Sequence, residues 1–160
     1  MTGTKHVTLY TDGGCINNPG PGGYGVVLLY NSNRKELSGG FRYTTNNRME
    51  IYAAIAGLTA LKEPCRVTVF SDSQYLVYAI QKGWALRWRE NGWRRNKKEK
   101  AINPDLWEKL LGLCEMHDVE FKWVRGHAGE SENERCDQLA KAASSGSNLP
   151  VDENYERTAL

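Results

Sequence analysis

The sequence contains no long apolar run and few cysteines. Among its 160 residues, no apolar stretch approaches the roughly 20 residues that a helix needs to cross a bilayer. The first residues, MTGTKHV, lack the charged segment and the apolar core of a secretory signal peptide. The four cysteines, Cys15, Cys65, Cys114 and Cys136, are widely spaced without a C-x-x-C pair, which favours free thiols in a reducing compartment. We therefore expect a cytoplasmic protein without a membrane span.

Net charge is also low, but it is distributed unevenly along the chain. The formal net charge is +2, whereas the segment from Lys82 to Lys100 contains eight bases and two acids, a net charge of +6. The same segment contains Trp84, Trp88 and Trp93. Bases interleaved with large aromatic side chains suit phosphates and the faces of sugars. We therefore expect this basic segment to bind nucleic acid; the alternative is a solvated helix face, for which tryptophan is an unusual residue.

Hydrophobic periodicity predicts strands first and then strands alternating with helices. Strand patterns lie at residues 7–11, 23–30, 35–44, 66–70 and 120–124, and helical patterns at 46–63, 73–81, 105–117 and 132–143. This order indicates an α/β fold with a mixed sheet, in which an antiparallel meander precedes two parallel strands. We expect a single domain over residues 1–145. Residues 146–160 are polar and lack periodicity, so we expect a mobile tail there.

Two aspartates follow apolar strand patterns. Asp12 comes at the end of the first predicted strand, and Asp72 comes at the end of the fourth. A hairpin turn at Asp12 would need a second strand immediately afterwards, but the next strand pattern begins only at Gly23. If the two strands are parallel neighbours, both carboxylates meet outside the carboxyl ends of the strands, where sites form in open α/β sheets. This arrangement predicts a metal site.

Two further acids lie on helical patterns beside buried positions, and each acid has a purely structural alternative. Glu50 is in line with Leu58 and can instead form a capping box with Asn47. Asp137 lies next to Cys136 and can instead pair with Lys141 one turn later. For Asp72, the alternative is an N-cap on the following helix. The structural alternatives need a separate explanation for each of the four acids, whereas one metal site explains all of them. We therefore favour a cluster that holds divalent cations for phosphoryl transfer.

Several long motifs carry a resemblance to a known family. The stretches YTDGGC, NPGPGGYG, TTNNRMEIYAA, SDSQY, NPDLWEKL and WVRGHAGESENERCDQLAKAA resemble ribonuclease H of the bacterial type, ribonuclease HI, over residues 6–145. The resemblance implies the ribonuclease H-like fold, a five-stranded mixed sheet with helices on both faces. It also implies a monomer, without marked sequence specificity, that cleaves the RNA strand of RNA·DNA hybrids to leave 5′-phosphate and 3′-hydroxyl ends.

The resemblance also implies roles for individual residues. Two Mg²⁺ ions, for which Mn²⁺ is a possible substitute, act with substrate bound, and the catalytic, metal-binding acids are Asp12, Glu50, Asp72 and Asp137. By this resemblance, Asp12 would bridge both metals. His127, in the loop RGHAGES, assists proton transfer or product release.

Substrate contacts follow from the same motif positions. The residues implied to line the minor groove, where 2′-hydroxyls distinguish RNA from DNA, are Cys15, Asn18, Asn46, Asn47 and Gln74. Those implied to contact the DNA strand are Trp84 and Trp88 on sugars, and Thr45 and Asn103 on a phosphate. The charge pattern of the basic segment, rather than the resemblance, makes candidates for phosphate binding of Arg94, Arg95, Lys97 and Lys98. The glycines before Tyr24 are implied to let the backbone approach the hybrid.

The chain departs from the family pattern at substrate-binding positions. Family members often have a basic residue two positions before the threonine of the phosphate pocket, whereas this chain has Tyr43 there and Arg42 next to it. Since neighbouring residues of a strand point to opposite faces, Arg42 is not an obvious substitute. Glu90 stands where bases are common in the family.

Two rival functions are a hybrid-binding module without catalysis and a DNA-cleaving resolvase or strand-transfer enzyme. The filled catalytic positions disfavour the first, and the asparagine set disfavours the second.

Overall fold

The computed structural model describes residues 5–126 and 128–159 and contains one five-stranded sheet. Its strands are β1 (His6–Cys15), β2 (Gly20–Tyr30), β3 (Asn33–Thr44), β4 (Arg66–Ser71) and β5 (Asp118–Trp123). The spatial order is β3-β2-β1-β4-β5. The pairs β1 with β2 and β2 with β3 are antiparallel, whereas β1 with β4 and β4 with β5 are parallel. The predicted mixed sheet is confirmed.

Helices cover both faces of this sheet. They are α1 (Asn46–Thr59), α2 (Gln74–Gln81), α3 (Trp84–Glu90), α4 (Pro104–Met116), α5 (Ser131–Ser144) and α6 (Glu153–Ala159). In β1, Gly13 lies against α1, whereas Gly25, which is paired with Asp12 of β1, lies against α5. Because alternate residues of a strand point to opposite faces, α1 and α5 lie on opposite sides. The core between the sheet and its helices includes the buried Leu9, Trp107 and Phe121. Within the described residues, no helix is long and apolar enough to span a membrane.

Strand β2 begins earlier than the sequence pattern predicts, because it includes the glycine-rich stretch from Gly20. A Cβ atom at Gly25 would lie 2.7 Å from the Cβ of Leu139 and would also strike the backbone of Cys136 in α5. A Cβ at Gly23 would strike the backbone of Ala140. These glycines therefore let α5 pack directly on the strand backbone. The resemblance implied that the glycines before Tyr24 let the backbone approach the hybrid, and this is wrong for Gly23, because helix α5 occupies that face.

The C-terminal segment, for which the sequence predicts a mobile tail, is folded onto the domain, and residues 153–159 form α6. Asp152 is buried and accepts a hydrogen bond of 2.7 Å from the hydroxyl of Thr44. Arg42 of β3 donates three hydrogen bonds to Glu156, and the rings of Tyr43 and Tyr155 lie 5.6 Å apart. Periodicity missed these contacts because they are polar and join distant parts of the chain.

Candidate active site at the carboxyl ends of β1 and β4

Asp12 and Asp72 lie side by side because their strands are parallel neighbours. Thr11 of β1 is paired with Ser71 of β4, and each aspartate follows its paired residue directly. Asp12 does not end its strand as predicted, since β1 continues to Cys15 through pairing with β2. The predicted meeting of the two carboxylates is nevertheless present in the structure.

Glu50 reaches the same point from helix α1 on the adjacent face. The close approach depends on Gly13, where a Cβ atom would lie 2.6 Å from the backbone nitrogen of Glu50. One carboxylate oxygen from each of Asp12, Glu50 and Asp72 lies within 4.8 Å of the other two. We call these three residues the acid cluster. Across the described ranges, it is the one group of acids, histidines and cysteines close enough to share a metal ion.

Burial and mutual repulsion make the acid cluster a poor place for negative charge without a cation. Asp12 is only 6% exposed. Burial, together with the charges of Asp72 and Asp137, raises the pKa of Asp12 to about 8. Burial, followed by the charges of Asp12 and Asp72, also raises the pKa of Glu50 well above its usual range. The buried Oε1 of Glu50 has no hydrogen-bond partner among the described residues.

This donor set fits a hard divalent cation. Carboxylate oxygens are the ligands that Mg²⁺, Mn²⁺ and Ca²⁺ accept, and a cation would neutralise the repulsion within the cluster. The unpartnered Oε1 of Glu50 is an oxygen that such an ion would satisfy. The acid cluster is therefore a candidate divalent-metal site.

Asp137 lies at the edge of the cluster rather than within it. Its helix, α5, packs against β1 and β2, and its carboxylate is close enough to contribute to the raised pKa of Asp12. The side chain also forms an ion pair of 3.0 Å with Lys141, which is the structural alternative considered for it. The ion pair does not account for the position of Asp137 beside Asp12, so both descriptions hold in the structure.

The structural alternatives for Asp72 and Glu50 are wrong. The N-cap of α2 is Ser73, whose hydroxyl accepts the backbone N–H of Leu76. The N-cap of α1 is Thr45, whose hydroxyl accepts the backbone N–H of Arg48, so Asn47 is not a cap. Neither acid therefore takes part in capping a helix.

His127 lies outside the described residues. Its neighbour Gly126 lies against the acid cluster, since a Cβ atom there would be 2.6 Å from Oδ2 of Asp72. The indole N–H of Trp123, at the end of β5, donates to the backbone carbonyl of Asp72. The chain leading to His127 thus passes beside the site.

Part of the implied minor-groove set forms a connected group beside the acids. The backbone N–H of Cys15 donates to the side-chain oxygen of Asn46 at 2.7 Å, and the backbone N–H of Asn46 donates to the side-chain oxygen of Asn18 at 3.0 Å. A cleft lined by Asp12, Cys15 and Asn46, among others, joins this group to the acid cluster. Asn47 and Gln74 are exposed nearby in the first turns of α1 and α2.

The basic segment contains helix α3, which the sequence analysis does not predict. Trp84, Trp88 and Trp93 are half-buried and pack against the core, and the Trp88 ring lies 6.0 Å from that of Trp107. These tryptophans therefore anchor the segment. Only the exposed atoms of these side chains can contact a substrate. After α3 the chain folds back so that Arg94 forms an isolated antiparallel bridge with Lys100.

The comparisons with known proteins agree with this geometry. A family model described as RNase H matches residues 4–145. Ribonuclease H from Desulforamulus reducens is 67% identical over 151 residues, covering 94% of this chain and 95% of that protein. The structure of LC9-RNase H1, a type 1 RNase H with the type 2 active-site motif, has a TM-score of 0.81 at 32% identity and covers 100% of this chain and 83% of that chain.

A second solved structure, LC11-RNase H1 in complex with an RNA/DNA hybrid, has a TM-score of 0.66 at 26% identity. The alignment covers 86% of this chain and 95% of that chain. The family match extends across all five strands and across the positions of the four acids. The chain belongs to the ribonuclease H family and is of the bacterial type, ribonuclease HI, that its motifs resemble.

Proposed function

We propose that this chain is a metal-dependent endoribonuclease that hydrolyses the RNA strand of RNA·DNA hybrids and leaves 5′-phosphate and 3′-hydroxyl ends. The observation that carries this proposal is the acid cluster, with its unpartnered Glu50 oxygen, in a member of the ribonuclease H family. Mg²⁺ is the proposed metal because its preferred ligands are carboxylate oxygens and phosphates. Mn²⁺, which accepts the same ligands, is its proposed substitute.

The four acids have complementary proposed roles. Asp12, the most central, and Glu50 and Asp72 would hold the metal, while Asp137 would complete the site from α5. The bound metal supplies an activated water and stabilises the departing oxygen of the phosphodiester. His127 would assist proton transfer or product release, a role that the position of Gly126 beside Asp72 supports.

Hybrid recognition is proposed for the surface next to the acids. The hydrogen-bonded group of Cys15, Asn18 and Asn46 offers amides and backbone to a minor groove, where 2′-hydroxyls are displayed. The structure of LC11-RNase H1 contains an RNA/DNA hybrid, which supports the same substrate here. The catalytic domain is proposed to span residues 1–145 and to act as a monomer, and the cytoplasmic location stays a prediction from the cysteine pattern.

One gel tests the activity. End-labelled RNA·DNA hybrid, duplex DNA and duplex RNA are incubated with the protein, each with Mg²⁺ and with chelator. We expect cleavage of the RNA strand of the hybrid only, and only with Mg²⁺. Cleavage of duplex DNA would instead support a resolvase-like enzyme, and binding of hybrid without cleavage would support a binding module.

Neutralising four bases that follow α3 in the basic segment should weaken hybrid binding without changing the chemical step. When Arg94, Arg95, Lys97 and Lys98 are replaced by alanine, we expect KM to rise at least several-fold and kcat to change little, because phosphate contacts act equally on ground and transition states. Each lost phosphate contact should reduce the slope of log K against log salt by about 0.7 to 0.9. Steady-state kinetics at several salt concentrations measures both quantities.

The control removes the same charge elsewhere by replacing four exposed lysines outside the segment by alanine: Lys35, Lys62, Lys109 and Lys122. This variant should keep the salt slope within experimental error. An unchanged KM in the segment variant would make the segment a solvated surface. A large fall in kcat at saturating hybrid would show that it positions the scissile phosphate.

A further inference from the structure

The guanidinium of Arg48 is enclosed by protein groups. Arg48 is 3% exposed. Its Nε donates to Oδ2 of Asp152 at 2.8 Å, its Nη2 donates to Oδ2 of Asp105 at 2.7 Å, and its Nη1 donates to Oδ1 of Asn103 at 3.2 Å. Two carboxylates thus compensate one positive charge. Arg48 is therefore not placed to bind an anion itself.

Asn103, the third partner of Arg48, is held in an unusual conformation. It precedes helix α4 with φ of 62°, in the left-handed region, and its side chain does not cap the helix. Its carbonyl oxygen Oδ1 accepts from Arg48 instead. Within residues 5–126 and 128–159, its amide nitrogen has no recorded partner, although the residue is only 9% exposed. The contact with Arg48 therefore fixes which end of the amide is free.

Thr45 is oriented by the backbone N–H of the same residue. As the N-cap of α1, its hydroxyl oxygen accepts the backbone N–H of Arg48 at 3.1 Å, which leaves the hydroxyl proton free to donate. Arg48 thus engages an acceptor atom of both Thr45 and Asn103, one through its backbone and one through its side chain. Free donors remain on both residues, as an anion requires.

The C-terminal segment completes this arrangement through Asp152. Its carboxylate accepts two hydrogen bonds from Arg48 and one from the hydroxyl of the buried Thr44. We propose that Arg48 and Asp152 are positioning residues for a phosphate of the DNA strand. The backbone of Arg48 orients Thr45, and its side chain, held by Asp152, orients Asn103, so that both residues can donate to the phosphate. This inference rests on the proposed function, and it gives the segment after residue 145 a part in substrate binding.

The primary test is Asp152→Asn, which keeps the shape of the side chain but removes its charge. We expect KM for hybrid to rise by about 3- to 10-fold and kcat to stay within about 2-fold. The rise is smaller than that for complete loss of a hydrogen bond to a charged group, because the variant misplaces the phosphate-binding donor without removing it. Glu153→Gln removes a charge at the next, exposed position, which has no recorded ion pair in the described ranges, and should leave KM unchanged. Thermal melts ensure that every variant is assayed well below its unfolding temperature.

A double-mutant cycle separates positioning from general destabilisation. Asn103→Ala alone should raise KM by about 10-fold or more, and adding Asp152→Asn to it should raise KM much less than it does in the native chain. If the KM of the double variant instead rises by the product of the two single fold-changes, Asp152 does not act through Asn103, and the inference is overturned. If Asp152→Asn does not fold, Thr44→Val removes one hydrogen bond to Asp152 and should produce a smaller rise in KM.

Hybrids with one methylphosphonate at successive DNA positions identify the phosphate concerned. Compared with unmodified hybrid, a methylphosphonate at one particular position should lower the affinity of the native enzyme. The same substitution should lower the affinity of Asp152→Asn much less, because that variant has already weakened the contact with this phosphate. Failure of the native enzyme to cleave any hybrid with Mg²⁺ would overturn the proposed function. Normal cleavage by the native enzyme, together with an unchanged KM for Asp152→Asn, would overturn only the positioning role.

Discussion

Replacing Asp12 by asparagine is expected to lower the rate of RNA cleavage by at least about 1,000-fold, because a metal contributes several kcal/mol of transition-state stabilisation. The same change should raise the stability of the metal-free protein. Asp12 is buried beside Asp72 and Asp137, and its raised pKa of about 8 reports the cost of its charge. An asparagine has no charge that folding must neutralise, so we expect a gain of at least about 1 kcal/mol, or roughly 2–4 °C in Tm.

The sign of the pH dependence follows from the raised pKa. Folded Asp12 holds its proton up to about pH 8, whereas in the unfolded chain it loses the proton near its ordinary value of about 4. Its contribution to stability is therefore present below about pH 4 and is lost as the pH rises towards 8. The stability advantage of Asp12→Asn in chelator should grow over this range.

Thermal melts in chelator and in excess Mg²⁺, combined with the cleavage assay, measure these effects. Mg²⁺ should stabilise the native protein more than the variant, since binding to the folded state raises Tm. Asp118→Asn, a change at an exposed carboxylate, is the control and should alter neither property. A lower Tm for Asp12→Asn in chelator would refute repulsion within the cluster, and near-native cleavage would refute its metal-binding role.

Replacing Arg48 by methionine is expected to cost about 3–5 kcal/mol of stability, because it leaves two carboxylates in a buried site without their cation. The side chains of Asp105 and Asp152 are 22% and 9% exposed. A loss of this size corresponds to a fall in Tm of roughly 6–20 °C. Denaturant unfolding at neutral pH measures it directly.

The loss of stability caused by Arg48→Met should become smaller at acidic pH. Burial alone would raise the pKa of Asp105, but the hydrogen bonds from Arg48 outweigh it and lower that pKa. Stability from this pairing is therefore present above the ordinary pKa of an aspartate and is lost as the pH falls through the lowered value. Arg66→Met, which removes an exposed partner of Asp118, is the control and should cost less than about 1 kcal/mol. An equally small cost for Arg48→Met would contradict the importance of the buried pairs.

Local patterns were sufficient to predict most of the fold, and contacts between distant residues explain the exceptions. Leu9, Val67 and Phe121 belong to strands whose alternation is visible over a few residues. The glycines of β2 have low strand propensity and belong to the strand because α5 packs on them. Helix α6 is short and polar, so its sequence gave no apolar periodicity to detect.

The candidate site was predictable to the extent that it follows from strand order. The position of Asp72 next to Asp12 requires only that β1 and β4 are parallel neighbours. The partnership of Arg48 with Asp152 joins residues 104 positions apart and has no local pattern. One signal was nevertheless present, since Arg48 shares the helical spacing of Ile51 and Ile55 on the buried face of α1.

The glycine at position 25 has a consequence for how substitutions in this chain would be tolerated. Gly25 is paired with Asp12 on one side and touches the backbone of Cys136, next to Asp137, on the other. A single added methyl group there would push helix α5 outward and carry the Asp137 carboxylate away from Asp12. In a library of random variants selected for cleavage, Gly25 would therefore behave as an active-site position, although it contributes no functional group to the chemistry.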